Sequence, residues 1–206
     1  RGTASESYRL SQRIIECLLR TEPTAELINR EIGIGAMSHI DKNYAISQSS
    51  LEDVSKDGTM AQSEELIQEL ENADFVVIGT PMHNMTIPSV LKAWIDHVVR
   101  ARRTFNITPA GKIGTVSDRP VFIAISSGGR FSGEWARQPD FLTPYLTFIL
   151  GMIGLHNLTF FSIEGTVAGP EAVAKARAQV DATLQEHFRM FQESDSVEVH
   201  ALLSQN

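Results

Sequence analysis

The sequence of 206 residues predicts an α/β layer fold, a doubly wound parallel sheet with helices on both faces. Three observations carry that prediction. Residues 75–78 (FVVI) and 121–125 (VFIAI) are unbroken apolar runs rich in β-branched types, the pattern of parallel strands covered on both sides. Each run is followed, after a loop, by apolar residues at helical spacing. Strand and helix patterns then alternate to about Phe188, which is the arrangement that builds βαβ units.

Leu10, Ile14, Cys17 and Leu18 recur at helical spacing behind the hydroxyl-rich "TASES" and predict a first helix over 5–19. "AELINREI", 25–32, reads as a short strand. Residues 31–56 lack periodicity and carry Gly33, Gly35 and "SQSS", so a long excursion with room for a short helix is expected there. Thr59 and Gln62 stand at capping-box spacing, and Leu66, Ile67 and Leu70 continue the helix to Ala73. The strand "DFVVIGT" follows at once. Pro88 opens the next helix, whose stripe is Leu91, Trp94, Ile95 and Val98. "RTFNITPAGKIGTVSDRP" reads as loop, "VFIAISS" as a second buried strand and "GGRFSGEWARQPDF" as another loop. Thr143 and Pro144 start a helix that turns Leu146, Ile149, Leu150 and Ile153 inward and stops at Gly154. "NLTFFSI" is a strand, and the closing helix opens near Pro170 with Val173, Val180, Leu184 and Phe188 on one side. No internal repeat interrupts the series, so a single domain over 1–206 is expected, with the tail after about 190 peripheral.

Composition narrows the partners. Twenty-five acidic against 18 basic residues give a formal charge of −7, which argues against phosphate backbones and anionic membranes. No apolar run approaches the roughly 18 residues of a membrane span, and "RGTASESYRL" is not a signal peptide. The single Cys17, set among Ile14, Ile15, Leu18 and Leu19, permits no internal disulfide and reads as a buried thiol, which suits a reducing cytoplasm. His39, His156, His187 and His200 show no metal-ligand spacing, and Asp96 and His97, adjacent on a helix, do not face each other.

Open α/β sheets bind ligands beyond the carboxyl ends of their strands. That rule selects three loops: "RGTASES", "PMHNMT" and "SSGGRF". The first presents Ser5 and Ser7 at a helix N-terminus, which serves either as plain capping or as an anion site. It has neither the Walker sequence nor GxGxxG spacing. The other two hold little ionisable chemistry, and Gly128 and Gly129 allow backbone to approach a flat ligand closely. A phosphate cradle beside two ring-clamping loops points to flavin mononucleotide. "ISSGG" as a nucleophile site ranks low, because it lacks a GxSxG elbow.

Taken together, "SES", "PMHNMTIPSVLKAWIDHVVRARRTF", "SSGG", "LTPYLTFILGMIGL" and "EGTVAGPE", in this order, resemble the flavodoxin-like FMN-dependent NAD(P)H reductases, and among them the bacterial FMN-dependent NADH:quinone oxidoreductase and azoreductase family. The resemblance implies a three-layer α/β/α domain with a five-stranded parallel sheet in the order 2-1-3-4-5. It implies a homodimer with FMN at the subunit interface and NADH or NADPH as co-substrate. Ser5, Glu6 and Ser7 are expected on the FMN phosphate, Pro81, Met82, His83, Asn84 and Met85 along the ring, and Ser126, Ser127, Gly128 and Gly129 at its pyrimidine end. Phe105, Phe131 and Phe148 are expected to wall the substrate pocket, Phe148 reaching the neighbouring subunit's site.

The activity implied is two-electron, ping-pong reduction of quinones and azo compounds through the flavin, with no obligatory acid–base residue and no metal. His83 stands where an aromatic such as Tyr is common, and it is either a proton donor to reduced substrate or only a contact. Phe131 and Trp135 either cover the ring or anchor their loop. The alternative reading is an FMN-binding electron carrier of the flavodoxin type. No strand precedes "SES", and in a 2-1-3-4-5 sheet that strand is central, so some eight to ten further residues are expected upstream.

Overall fold

The computed structural model describes residues 5–33, 37–42, 44 and 58–203, and the predicted excursion over 31–56 lies largely outside them. The described elements are α1 (Glu6–Thr21), α2 (Gly58–Asn72), β1 (Val76–Pro81), α3 (Ser89–Val98), β2 (Phe105–Thr108), β3 (Gly111–Gly114), β4 (Val121–Ser126), α4 (Thr143–Ile153), β5 (Leu158–Ile163) and α5 (Pro170–Leu203).

Three strands form a parallel sheet in the order β1-β4-β5, with Val76 opposite Val121 and Val121 opposite Leu158. The all-apolar run of β4 is thereby explained, since it is the middle strand and all six of its residues are buried. Its alternate side chains feed two cores. Val121, Ile123 and Ile125 pack with Leu66, Ile67, Leu91, Ile95, Leu146 and Leu150 of α2, α3 and α4. Phe122 and Ala124 pack with Leu10, Ile14, Val180, Leu184 and Phe188 of α1 and α5. The result is three layers. Burial of an aromatic such as Phe122 stabilises by about 2–3 kcal/mol, so this middle strand is the anchor of both cores.

Four sequence expectations are corrected. The predicted strand over 25–32 is not a strand. Residues 25–31 are exposed and separated from β1 by a groove of about 820 Å³, lined also by Ile15, Leu18, Leu66, Leu70 and Phe75, so among the described residues this segment pairs with no strand. For the same reason Val76 and Val77 of β1 are only half-buried, although a strand covered on both sides was expected. The predicted loop over 103–120 contains an antiparallel hairpin, β2 and β3, in which Thr108 faces Gly111 across Pro109 and Ala110. Its strands are four residues long and mostly exposed, too short for periodicity to show. Thr59 already lies inside α2 and is not its cap. The stop of α4 is as expected: Gly154 has φ +116, and a Cβ there would also collide with the Val116 backbone.

Candidate functional site

The chain brings the start of α1 and the loops after β1 and β4 to one edge of the sheet. Pro81 at the end of β1 stands directly opposite Ser126 at the end of β4, and Met82 N–H donates to Ser126 O at 2.8 Å. A Cβ added at Gly79 would lie 3.1 Å from Ser11 Oγ and 3.3 Å from Ser7 O, so this glycine lets the first turns of α1 lie flat on β1. The N-terminus of α1 therefore sits beside the same carboxyl edge.

Ser5 occupies the N-cap position of α1 in extended geometry (φ −73, ψ 137), yet its hydroxyl makes no capping bond. It meets Ser7 Oγ at 3.0 Å instead. The first intrahelical bond runs from Arg9 N–H to Ser5 O, so the amides of Glu6, Ser7 and Tyr8 have no acceptor within the helix. Two hydroxyls and three amides at the positive end of a helix dipole make a cradle for an anion. The Glu6 carboxylate is turned elsewhere. It accepts from Arg177 Nε at 2.8 Å and Nη2 at 2.6 Å, and these hydrogen bonds hold it below the usual glutamate range. Only the backbone of Glu6 is left to face an anion.

The connector after β1 is tighter than six residues suggest. His83 and Thr86 exchange both backbone bonds, at 2.9 and 3.0 Å, around Asn84 (φ 48) and Met85 (φ 67). This is a two-residue turn that needs left-handed backbone at both central positions. Asn adopts it easily, but Met85 does so at a cost of about 1–2 kcal/mol. Strain of this kind collects at ligand sites. Met82 is buried, while His83, Asn84 and Met85 are exposed, and Met85 O accepts from Phe141 N–H at 3.0 Å.

The third loop is held from behind. The carbonyls of Ser127, Gly128 and Gly129 accept from the amides of Thr166, Val167 and Gly165, and Ser127 N–H donates to Ile163 O. Among the described residues, the Gly128 and Gly129 amides donate to no protein acceptor. They are adjacent amide donors, suited to the electron-rich edge of a planar ring. Glu164, at the end of β5, fixes the loop that follows: it accepts from Phe131 N–H at 2.8 Å, from Ser132 N–H at 3.2 Å, and from the hydroxyls of Ser132 and Ser162. Asp140 caps α4 through the amides of Leu142 and Thr143 at 2.8 and 2.9 Å.

The three phenylalanines separate. Phe105 is in the core at 6% exposure, with Lys112 Nζ 5.1 Å above its ring. Phe131 is partly buried against the same core and anchors its loop, while Trp135 is 64% exposed under the Arg137 guanidinium. Phe148 is 71% exposed on α4. His97 is fully buried, its Nε2 2.9 Å from Ser38 O. Gly79, Gln138, Asp140 and Glu164 were not anticipated. Asp140, three residues before "TP", and Glu164, at the carboxyl end of a strand, had positional signals in the sequence, whereas Gln138 had none.

Fold and site together define an α/β protein of the doubly wound class, with a helix N-terminus and two loops at the carboxyl edge of its parallel sheet. The chain belongs to the flavodoxin-like fold family, whose model matches residues 1–188. It is similar to "FMN-dependent NADH:quinone oxidoreductase 4" of Pseudomonas fluorescens, with 43% identity over 88% of this chain and 86% of that protein. It is 41% identical to "FMN-dependent NADH:quinone oxidoreductase 5" of Burkholderia lata over 87% of each. The fold also resembles that of an azoreductase from Bacillus anthracis, with TM-score 0.77, 22% identity and 94% of each chain covered.

Proposed function

We propose that this protein is an FMN-dependent oxidoreductase that takes two electrons from NADH and passes them to quinones and azo compounds. The observation that carries the reading is the convergence at one sheet edge of the N-terminus of α1, the strained 83–86 turn and the Gly128 and Gly129 amides, which among the described residues have no protein acceptor. The names of the relatives at 41–43% identity support it and favour NADH over NADPH.

Ser5, Ser7 and the first-turn amides of α1 would hold the phosphate, since those amides have no acceptor within the helix and the carboxylate of Glu6 is paired with Arg177. The backbone of Pro81, Met82, His83, Asn84 and Met85 would lie along the ring, with Ser126, Ser127, Gly128 and Gly129 at its pyrimidine end. When bound, FMN supplies two-electron hydride chemistry, NADH and acceptor using one face in turn. The protein's part is orientation, exclusion of water, and amide donors aimed at the edge where negative charge develops. No acid–base side chain is required of this chain, and His83 acts as a contact.

We also propose a homodimer whose second copy closes the site, the partner meeting Met85, Phe141 and Phe148, which are 42%, 59% and 71% exposed. Completion of the sheet to five strands in the order 2-1-3-4-5 is supported by the groove between β1 and the irregular segment over 25–30, which lies along the open edge of β1. A reducing cytoplasm suits the lone buried thiol, Cys17.

Initial-rate kinetics with NADH and benzoquinone test the function. Parallel double-reciprocal lines are expected. Intersecting lines would contradict the shared face, and absence of NADH oxidation would contradict the activity.

A further inference from the structure

The side chain of Gln138 is wedged between the two ledges of the site. Its Nε2 donates to Ser127 Oγ at 3.1 Å and lies 3.0 Å from Met82 Sδ, and the Ser127 hydroxyl reaches the same sulfur at 3.8 Å. Its Oε1 stands against Gly129, where an added Cβ would collide with it. Ser127 and Met82 are themselves 3% and 9% exposed, so the amide bridges two buried points.

Loop closure does not explain this placement. The Arg137 and Gln138 amides already close the 130–138 loop onto Arg130 O, at 2.8 and 3.3 Å, and Glu164 braces its start. None of those bonds uses the Gln138 side chain, which they leave free to point to solvent. It points inward instead, to one side chain from each ledge, and the presence of glycine at 129 makes room for it.

We propose that Gln138 is a positioning residue for the flavin. Its carboxamide sets the separation between Met82 and Ser127, and through the Gly129 contact it sets where the Gly128 and Gly129 amides stand. This inference rests on the FMN reading of the site. Gln138 acts through those residues and needs no contact with the cofactor.

The test is fluorescence titration of FMN into apo-protein for the wild type, Gln138→Ala, Gly129→Ala and the double variant, with a thermal melt of each apo-protein. Gln138→Ala is expected to weaken FMN binding roughly tenfold, because the two ledges lose the bridge that fixes their separation, and to lower the apo melt by only a few degrees, as the loss of one to two hydrogen bonds does. Gly129→Ala is expected to weaken it at least as much, because the new Cβ drives the carboxamide out. In the Gln138→Ala background the same glycine change should cost several-fold less, since its collision partner is gone. A purely structural role would produce no such coupling. Additive losses, or an unchanged FMN affinity in Gln138→Ala, overturn the proposal. If Gln138→Ala does not fold, Gln138→Glu keeps the shape without the Nε2 donors, and wild-type affinity in that variant overturns the proposal equally. A wild-type protein that takes up no FMN overturns the FMN reading and the bridge together, whereas the preceding outcomes leave that reading intact.

Discussion

Replacing Ser5 with Asp should move apo stability and cofactor affinity in opposite directions. Ser5 is the N-cap of α1 and its hydroxyl makes no capping bond, so a carboxylate there gains both a cap and the dipole, about 0.5 kcal/mol. For a chain of this size that raises the apo melting midpoint by roughly 1–2 °C. The same carboxylate would stand against the phosphate. Ser5 Oγ and Ser7 Oγ are 3.0 Å apart, so an anion bonded to both has its charge centre about 5 Å from the new carboxylate. At that distance one charge pair costs about 0.8 kcal/mol in water and about 3 kcal/mol at an effective dielectric near 20. A phosphate monoester carries between one and two charges, which places the total near 3 kcal/mol, or about a hundredfold in affinity. Titration of apo Ser5→Asp with FMN, beside its thermal melt, measures both effects. Affinity within threefold of wild type, with the melt raised, would refute the placement of phosphate at this helix end.

Other consequences follow from contacts away from the ring. Glu64 accepts from Arg103 at 2.9 and 3.0 Å and from the buried Arg100 at 2.5 Å; burial pushes its carboxyl up, and the two guanidinium groups outweigh that and hold it down. Glu64→Gln should lower stability by about 2–3 kcal/mol, less than a fully orphaned charge because Arg103 keeps Glu71 and Arg100 keeps Ser63, and urea midpoints should show it without a change in FMN affinity. Glu6 is held below its ordinary value of 4.5, so its pair with Arg177 stabilises the fold above that pH and the benefit disappears as pH falls through the depressed value. The stability gap between wild type and Arg177→Met should therefore be present at neutral pH and close in acid, and a gap independent of pH would contradict the pair. Phe148→Glu should weaken dimerisation at least tenfold by sedimentation, because the exposed ring is lost from the proposed interface and a charge replaces it.

Much of the architecture was legible because burial writes itself into periodicity. β4 is the middle strand, and its six residues are apolar or small throughout. α1 and α4 show their buried faces at helical spacing, and Gly154 marks a left-handed stop that only glycine adopts cheaply. The β2–β3 hairpin was not legible, because strands of four exposed residues carry no alternation. "AELINREI" has strand-like composition, but a strand needs a neighbour, and composition says nothing of one. At the site, the loops could be located by their place after strands. The turn at Asn84 and Met85 could not, since Met carries no signal for positive φ. Gln138 was invisible for a different reason: its partners, Met82 and Ser127, lie 56 and 11 residues away. Such a bridge exists only once the fold has formed.

The measurement that bears most directly on the proposed function is a visible spectrum of the purified protein through one turnover. With FMN bound, the protein should be yellow, bleach on addition of NADH without oxygen, and recover its colour when benzoquinone is added. A protein that stays colourless after incubation with FMN, or that holds FMN but is not bleached by NADH, would contradict the account.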